Sequence, residues 1–206
     1  EDGLRLVRRR GELMKRAGEI APGGMAAILG MDLSALDEIC AQASQKDEIV
    51  QVANDNCPGQ VVVSGEENAL KRAMNAAKEA GARRVIPLAV SIAAHSPLMV
   101  VIQTEFAQAL ADADIREASL PLVSNVTAFP IHTADALRDD LYAQLTSRVR
   151  WRESIQNMLE DGVERFVELG SGNVLNGLLK RIDRSKEGLV FGSANDFEIS
   201  FDDFLQ

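Results

Sequence analysis

A chain of 206 residues with 46% hydrophobic and 26% charged side chains can bury a core of its own, which excludes a disordered or fibrous protein. Its formal net charge of −9 argues against a nucleic-acid partner, because such a surface needs a basic face. No apolar run approaches the roughly 20 residues of a membrane span, and no basic stretch followed by an apolar run opens the sequence, so neither a membrane anchor nor a signal peptide is expected.

The first segment, residues 2–18, spaces Leu4, Val7, Leu13 and Met14 at helical intervals, with Arg5, Arg8, Arg9, Arg10 and Lys15 between them. The sequence begins Glu1-Asp2-Gly3 without Met and is already helical by Arg5, from which we expect upstream sequence to be missing. After the break at Pro22-Gly23-Gly24, Met25 to Leu29 reads as a strand. A helix capped by Asp32 or Ser34 follows, with Leu36, Ile39, Cys40 and Ala43 on one face. Ile49 to Ala53 reads as a strand, residues 54–59 as a turn, and Gln60 to Ser64 as a second strand. A helix over Glu66 to Ala80 closes at Gly81, and Arg83 to Leu88 is the last strand of the group. The order β-α-β-β-α-β predicts a ferredoxin-like unit over residues 22–91.

The rest has a different rhythm. Pro97 opens a helix carrying Leu98, Val101, Ile102, Phe106 and Leu110, and Leu122 to Val126 is a strand. Helices over Leu137 to Leu145 and Trp151 to Leu159 follow. Phe166 to Leu169 is a strand running through Gly170-Ser171-Gly172 into a helix over Val174 to Ile182, and Leu189 to Phe191 is a final strand. Strand–loop–helix order predicts an α/β body with parallel strands, to which residues 1–21 and 92–206 belong. Acidic residues Asp196, Glu198, Asp202 and Asp203 crowd its end. Cys40 and Cys57 have neither ligand spacing nor a neighbouring histidine, so no metal site is expected and a reducing cytoplasm is the expected compartment.

Only two histidines occur, His95 and His132. His132 sits in a Pro130-Ile131-His132-Thr133 turn and reads as a solvated loop residue. His95 falls between a strand and a helix, where α/β proteins place catalytic side chains; on that ground alone a capping or surface histidine remains the plainer reading.

The neighbourhood is more specific. Val90-Ser91-Ile92-Ala93-Ala94-His95-Ser96-Pro97-Leu98-Met99 resembles the histidine motif of bacterial malonyl-CoA:acyl carrier protein transacylases. Further blocks resemble that family in the same order: Arg8-Arg9-Arg10-Gly11-Glu12-Leu13-Met14, Asn56-Cys57-Pro58-Gly59-Gln60-Val61-Val62, Val123-Ser124-Asn125-Val126-Thr127, Gln144-Leu145 with Val149-Arg150-Trp151, and Glu168-Leu169-Gly170-Ser171-Gly172-Asn173-Val174-Leu175.

The resemblance implies an α/β-hydrolase-like acyltransferase body with the ferredoxin-like subdomain inserted. It implies malonyl transfer from malonyl-CoA to the phosphopantetheine thiol of acyl carrier protein in fatty acid synthesis, through a Ser-His acyl-enzyme and without metal or redox cofactor. His95 matches the general base, and Gln144 the residue whose backbone carbonyl orients it. Arg10 matches the arginine that holds the malonyl carboxylate, and Asn56 and Asn125 match polar positions near the substrate. The arginine-rich first helix is expected to face the acidic carrier protein.

Departures from the family pattern are Ala93 and Ala94, where proline and an aromatic residue are common, Val100-Val101-Ile102, Arg148, Ser171 and Asn173; the first pair leaves acyl selectivity open. The family's Gly-His-Ser-x-Gly elbow does not occur in these residues, so the chain is expected to be a fragment, inactive alone. Two competing readings are an acyltransferase domain of a polyketide-type synthase with a different extender unit, and a non-catalytic ferredoxin-like binding protein.

Overall fold

The computed structural model describes residues 1–186 and 188–196; Glu198, Asp202 and Asp203 of the acidic group lie outside the described residues. The chain forms two compact units, 1–154 and 155–206.

Helix α1 (Asp2–Ile20) fully buries only Leu13 and Ala17 and leaves Arg5, Arg8 and Arg9 exposed, in i,i+3 and i,i+4 pairs with Glu1, Asp2 and Glu12. It continues to Ile20, past the expected segment of residues 2–18. A Cβ at Gly18 would lie 2.8 Å from both the Ser91 carbonyl oxygen and Ile92 Cγ2, so this glycine serves a close approach of the loop before His95.

Strands β1 (Gly23–Leu29), β2 (Val50–Cys57), β3 (Gln60–Glu66) and β4 (Arg84–Pro87) form one antiparallel sheet in the order β2-β3-β1-β4. Helices α2 (Leu33–Ala43) and α3 (Glu67–Glu79) cover one face, where Ala26, Ile28, Leu36, Cys40, Val50, Val52, Val61, Val63 and Leu70 form the core. The opposite face carries a smaller cluster of Met25, Ala53, Val62 and Ala94. The predicted turn at 54–59 is shorter than expected. Register shifts at Val52/Asn54 and Asp55/Cys57 carry β2 on to Cys57, leaving Pro58 and Gly59 to make the turn, with Gly59 at φ +69°. Asp32 caps α2 without a side-chain bond, whereas Glu66 caps α3 by accepting from the amides of Asn68 and Ala69.

Beyond the His95 loop, a 3₁₀ turn (Pro97–Met99) leads into α4 (Val100–Asp112). Met99, Ile102, Phe106 and Leu110 pack with Leu13 and Ala17 of α1 and with Leu145. Val101, expected on that face, is exposed, because burial starts at Met99 and recurs at three- and four-residue intervals that miss it. The strand expected over Leu122 to Val126 stops at β5 (Leu122–Val123), paired with β6 (Pro130–Ile131). Ser124 ends it: its Oγ accepts from the amides of Val126 and Thr127 and turns the chain. Helix α5 (Ala134–Ala143) begins earlier than expected, capped by Thr133. Helix α6 (Trp151–Glu160) begins in the first unit and ends in the second.

In the second unit β7 (Val167–Leu169) and β8 (Leu189–Phe191) pair in parallel around α7 (Val174–Ile182). The Glu168 carboxylate accepts from the amides of Leu175 and Asn176, so the N-terminus of α7 is occupied by the protein's own anion. No helix among the described residues is long and apolar enough to cross a membrane.

Candidate active site

His95 adopts φ +57°, a left-handed conformation that costs a non-glycine residue free energy. Its loop holds that shape through Ser96, whose Oγ donates to the Ala93 carbonyl at 2.7 Å and accepts from the Leu98 amide at 3.3 Å. The imidazole Nδ1 lies 2.8 Å from the Gln144 carbonyl oxygen. Gln144 is the C-cap of α5, where carbonyls lack an intrahelical donor and are free to accept elsewhere. A carbonyl can only accept, so Nδ1 carries the proton and the neutral ring keeps its lone pair on Nε2.

Burial is the largest influence on this imidazole and holds its pKa below the ordinary histidine value. The bond to Gln144 works against that depression, and the charge of Arg10 works with it. His95 is therefore neutral at pH 7, the state in which it can accept a proton.

Arg10 is half-buried on α1, and burial lowers its pKa, although a guanidinium remains charged. Its neighbours are neutralised: Arg5 by Glu1 and Asp2, Arg8 by Glu12, Arg9 by Glu12 and Glu105, and Arg16 by Glu105. Arg10 pairs with no carboxylate among the described residues. A free, partly desolvated cation whose field reaches a neutral imidazole favours an anionic group arriving from outside.

Asn56 lies half-buried on β2, and Asn125 in the turn after β5. Backbone bonds join these segments: Asp55 N donates to Val149 O at 2.9 Å, Val149 N to Ala53 O at 2.8 Å, and Arg150 N to Asn125 O at 2.8 Å. Among the described residues neither asparagine side chain hydrogen-bonds to His95 or Arg10. The same segment is fastened by charge. Arg148 pairs with Asp37 and donates to the Val52 carbonyl, and Arg152 meets the buried Asp55 at 3.0 Å. His132 is exposed.

One residue at this site escaped the sequence reading. Gln51, inside a strand taken as apolar, donates from Nε2 to the His95 carbonyl at 2.8 Å and to the Thr146 carbonyl at 3.0 Å. Its signal was a polar residue on the alternate face of a strand, which ordinarily marks a solvent-facing position.

Residues 1–190 match the acyl transferase domain family. The malonyl CoA-acyl carrier protein transacylase of Staphylococcus aureus (strain COL) is 41% identical over 184 residues, which cover 89% of this chain and 60% of that protein. The acyl-carrier-protein-S-malonyltransferase of Bartonella henselae has a similar structure, with a TM-score of 0.93 at 36% identity over 100% of this chain and 65% of that one. A malonyl-transacylase solved in complex with a type II PKS acyl-carrier protein gives 0.91 at 36% identity, over 97% of this chain and 64% of that one. The chain thus spans less than two thirds of these relatives' length. With a mixed α/β fold like theirs and a family match over residues 1–190, the chain belongs to the acyl transferase domain family.

Proposed function

We propose that this chain is the part of a malonyl-CoA:acyl carrier protein transacylase that carries the general base and the carboxylate-binding arginine. The observation that carries the reading is the bond from His95 Nδ1 to the Gln144 carbonyl, which leaves Nε2 as the acceptor within the field of Arg10, a guanidinium with no carboxylate partner among the described residues.

In this reading Nε2 takes the proton of a serine hydroxyl supplied from outside these 206 residues as that oxygen attacks the malonyl thioester. The imidazolium returns the proton to the departing coenzyme A thiolate. His95 then takes the proton of the carrier's phosphopantetheine thiol, whose sulfur attacks the acyl-serine, and gives it back to the serine oxygen. The Gln144 carbonyl fixes the tautomer throughout and steadies the imidazolium, the role a triad carboxylate plays elsewhere. Arg10 holds the malonyl carboxylate, and Asn56 and Asn125 border the substrate. No metal or redox cofactor enters. The antiparallel unit over 22–91 is a ferredoxin-like subdomain inserted into an α/β-hydrolase-like body made of 1–21 and 92–206. Acyl carrier protein is the partner, facing the basic side of α1.

The test is reconstitution. Mixed with a relative's segment bearing Gly-His-Ser-x-Gly, the chain should support formation of a malonyl-serine. His95→Ala should lower transfer by about 10²–10⁴-fold, the usual worth of a general base. Arg10→Ala should weaken malonyl-CoA more than acetyl-CoA. Transfer by the isolated chain at the rate of a complete transacylase would overturn the reading. The malonyl-transacylase bound to a polyketide carrier favours one second reading, a carrier from polyketide synthesis. Comparing malonyl-CoA with methylmalonyl-CoA, and the two kinds of carrier, separates them.

A further inference from the structure

We infer that Gln51 is a positioning residue for His95, its carboxamide clamping the backbone of the base to the turn that orients the imidazole. Alternation along β2 puts Val50 and Val52 in the core under α2 and α3, so Gln51 points to the other face. Ala53, two residues on, packs on that face against Ala94, the neighbour of His95. Both groups that Gln51 meets there are carbonyl oxygens, of His95 at 2.8 Å and of Thr146 at 3.0 Å, so only the NH₂ end of the amide can face them.

The consequence is a closed ring of hydrogen bonds. His95 Nδ1 reaches the Gln144 carbonyl, Thr146 lies two residues beyond Gln144, and Gln51 returns from Thr146 to His95 itself. Thr146 is held from its other side, its Oγ1 accepting from Gln103 Nε2 at 3.3 Å. Each carbonyl belongs to backbone that ordinary secondary structure does not fix: His95 is left-handed, and Thr146 lies in the turn after α5. Without the clamp the loop and the turn can separate, and the imidazole loses its reason to keep the proton on Nδ1. Any catalytic meaning of this rests on His95 being the base; the geometry does not.

The experiment therefore reads geometry, in the 206-residue chain itself. With only His95 and His132 present, long-range ¹H–¹⁵N correlation spectra give the tautomer of each ring. The wild-type chain should hold His95 predominantly as the Nδ1–H form. Gln51→Met removes both donors at similar volume and should move the ratio toward Nε2–H by about fivefold, the worth of one neutral hydrogen bond. Gln51→Leu, which likewise carries no donor, should move it the same way. His132 should not respond in either variant.

An unchanged His95 tautomer in a folded Gln51→Met chain overturns the inference. Should that variant fail to fold, the wild-type chain still decides: the Gln51 carboxamide protons should exchange about tenfold or more slowly than in the unfolded chain, and exchange at the unfolded rate overturns the inference. The two readings fail separately. Reconstituted transfer indifferent to His95→Ala would remove the base and leave the tautomer result standing, whereas an unaltered tautomer would remove the clamp and leave the base.

Discussion

At the scale of single residues, His95 combines two unfavourable features, a left-handed backbone and a half-buried imidazole held in its neutral form. Both make it a residue that folding alone would not choose. The second has a measurable consequence. Because the folded-state pKa lies below the unfolded one, the unfolded chain binds the extra proton first as pH falls. The contribution of His95 to stability is therefore intact above about pH 6.5, the ordinary histidine pKa, and is lost as pH falls from there through the folded value. His95→Asn tolerates the same backbone and does not titrate. The difference in urea midpoint between wild type and variant should be constant above pH 7 and should move in the variant's favour below pH 6, as both chains are titrated in parallel. A difference that does not change with pH would mean the imidazole is freely solvated.

Elements were legible where the apolar pattern was long, as in α1, α3, α7 and the β1–β3 pair, and were misjudged where a side chain or bulge decided the boundary. Ser124 ends β5 with its hydroxyl, and two register shifts lengthen β2; both are local hydrogen-bond choices that periodicity does not report. The candidate site divides the same way. Motifs single out His95 and Arg10 as candidates, whereas Gln51 was hidden because a strand's polar face ordinarily means solvent and its carbonyl partners lie far along the chain. The need for glycine at 18 was hidden for a related reason, since what requires it is the Ser91 carbonyl, far along the chain. Helix α1 offers an internal comparison here. Glycine to alanine in an exposed helix gains about 1 kcal/mol, and Gly11, with nothing within 4 Å of its added Cβ, should follow that rule. Gly18→Ala should instead destabilise by about 1 kcal/mol or more, because the methyl would meet backbone oxygen. Thermal melts of the two variants should move in opposite directions. Two shifts of the same sign would mean that the 91–92 loop is not packed on α1.

For the first unit as a whole, the central question is whether its cores can open independently. The sheet is common to two of them, since Ala26 and Ile28 face α2 and α3 while Met25 and Ala27 face the His95 loop. Met14 of α1 packs against both that second cluster and the helical core around Phe106, so no one of the three can be exposed without stripping another. That arrangement argues for one cooperative transition across 1–154. The two native cysteines test it without an engineered label site. Cys40 sits on the core-facing side of α2, where burial first and the charge of Asp37 second push its thiol pKa up to about 12; Cys57 is buried at the end of β2. Cys40 therefore has almost no thiolate at pH 8, and burial denies a reagent access to either cysteine. Neither cysteine should react with a disulfide reagent in the native chain within the time that denatured chain reacts fully. Through a urea titration, labelling of Cys40 should appear at the concentration at which the His95 ring signals lose their native dispersion. Labelling of Cys40 at clearly lower urea, with His95 still native, would show the helical face of the sheet opening alone, and the shared-sheet argument for cooperativity would then be wrong.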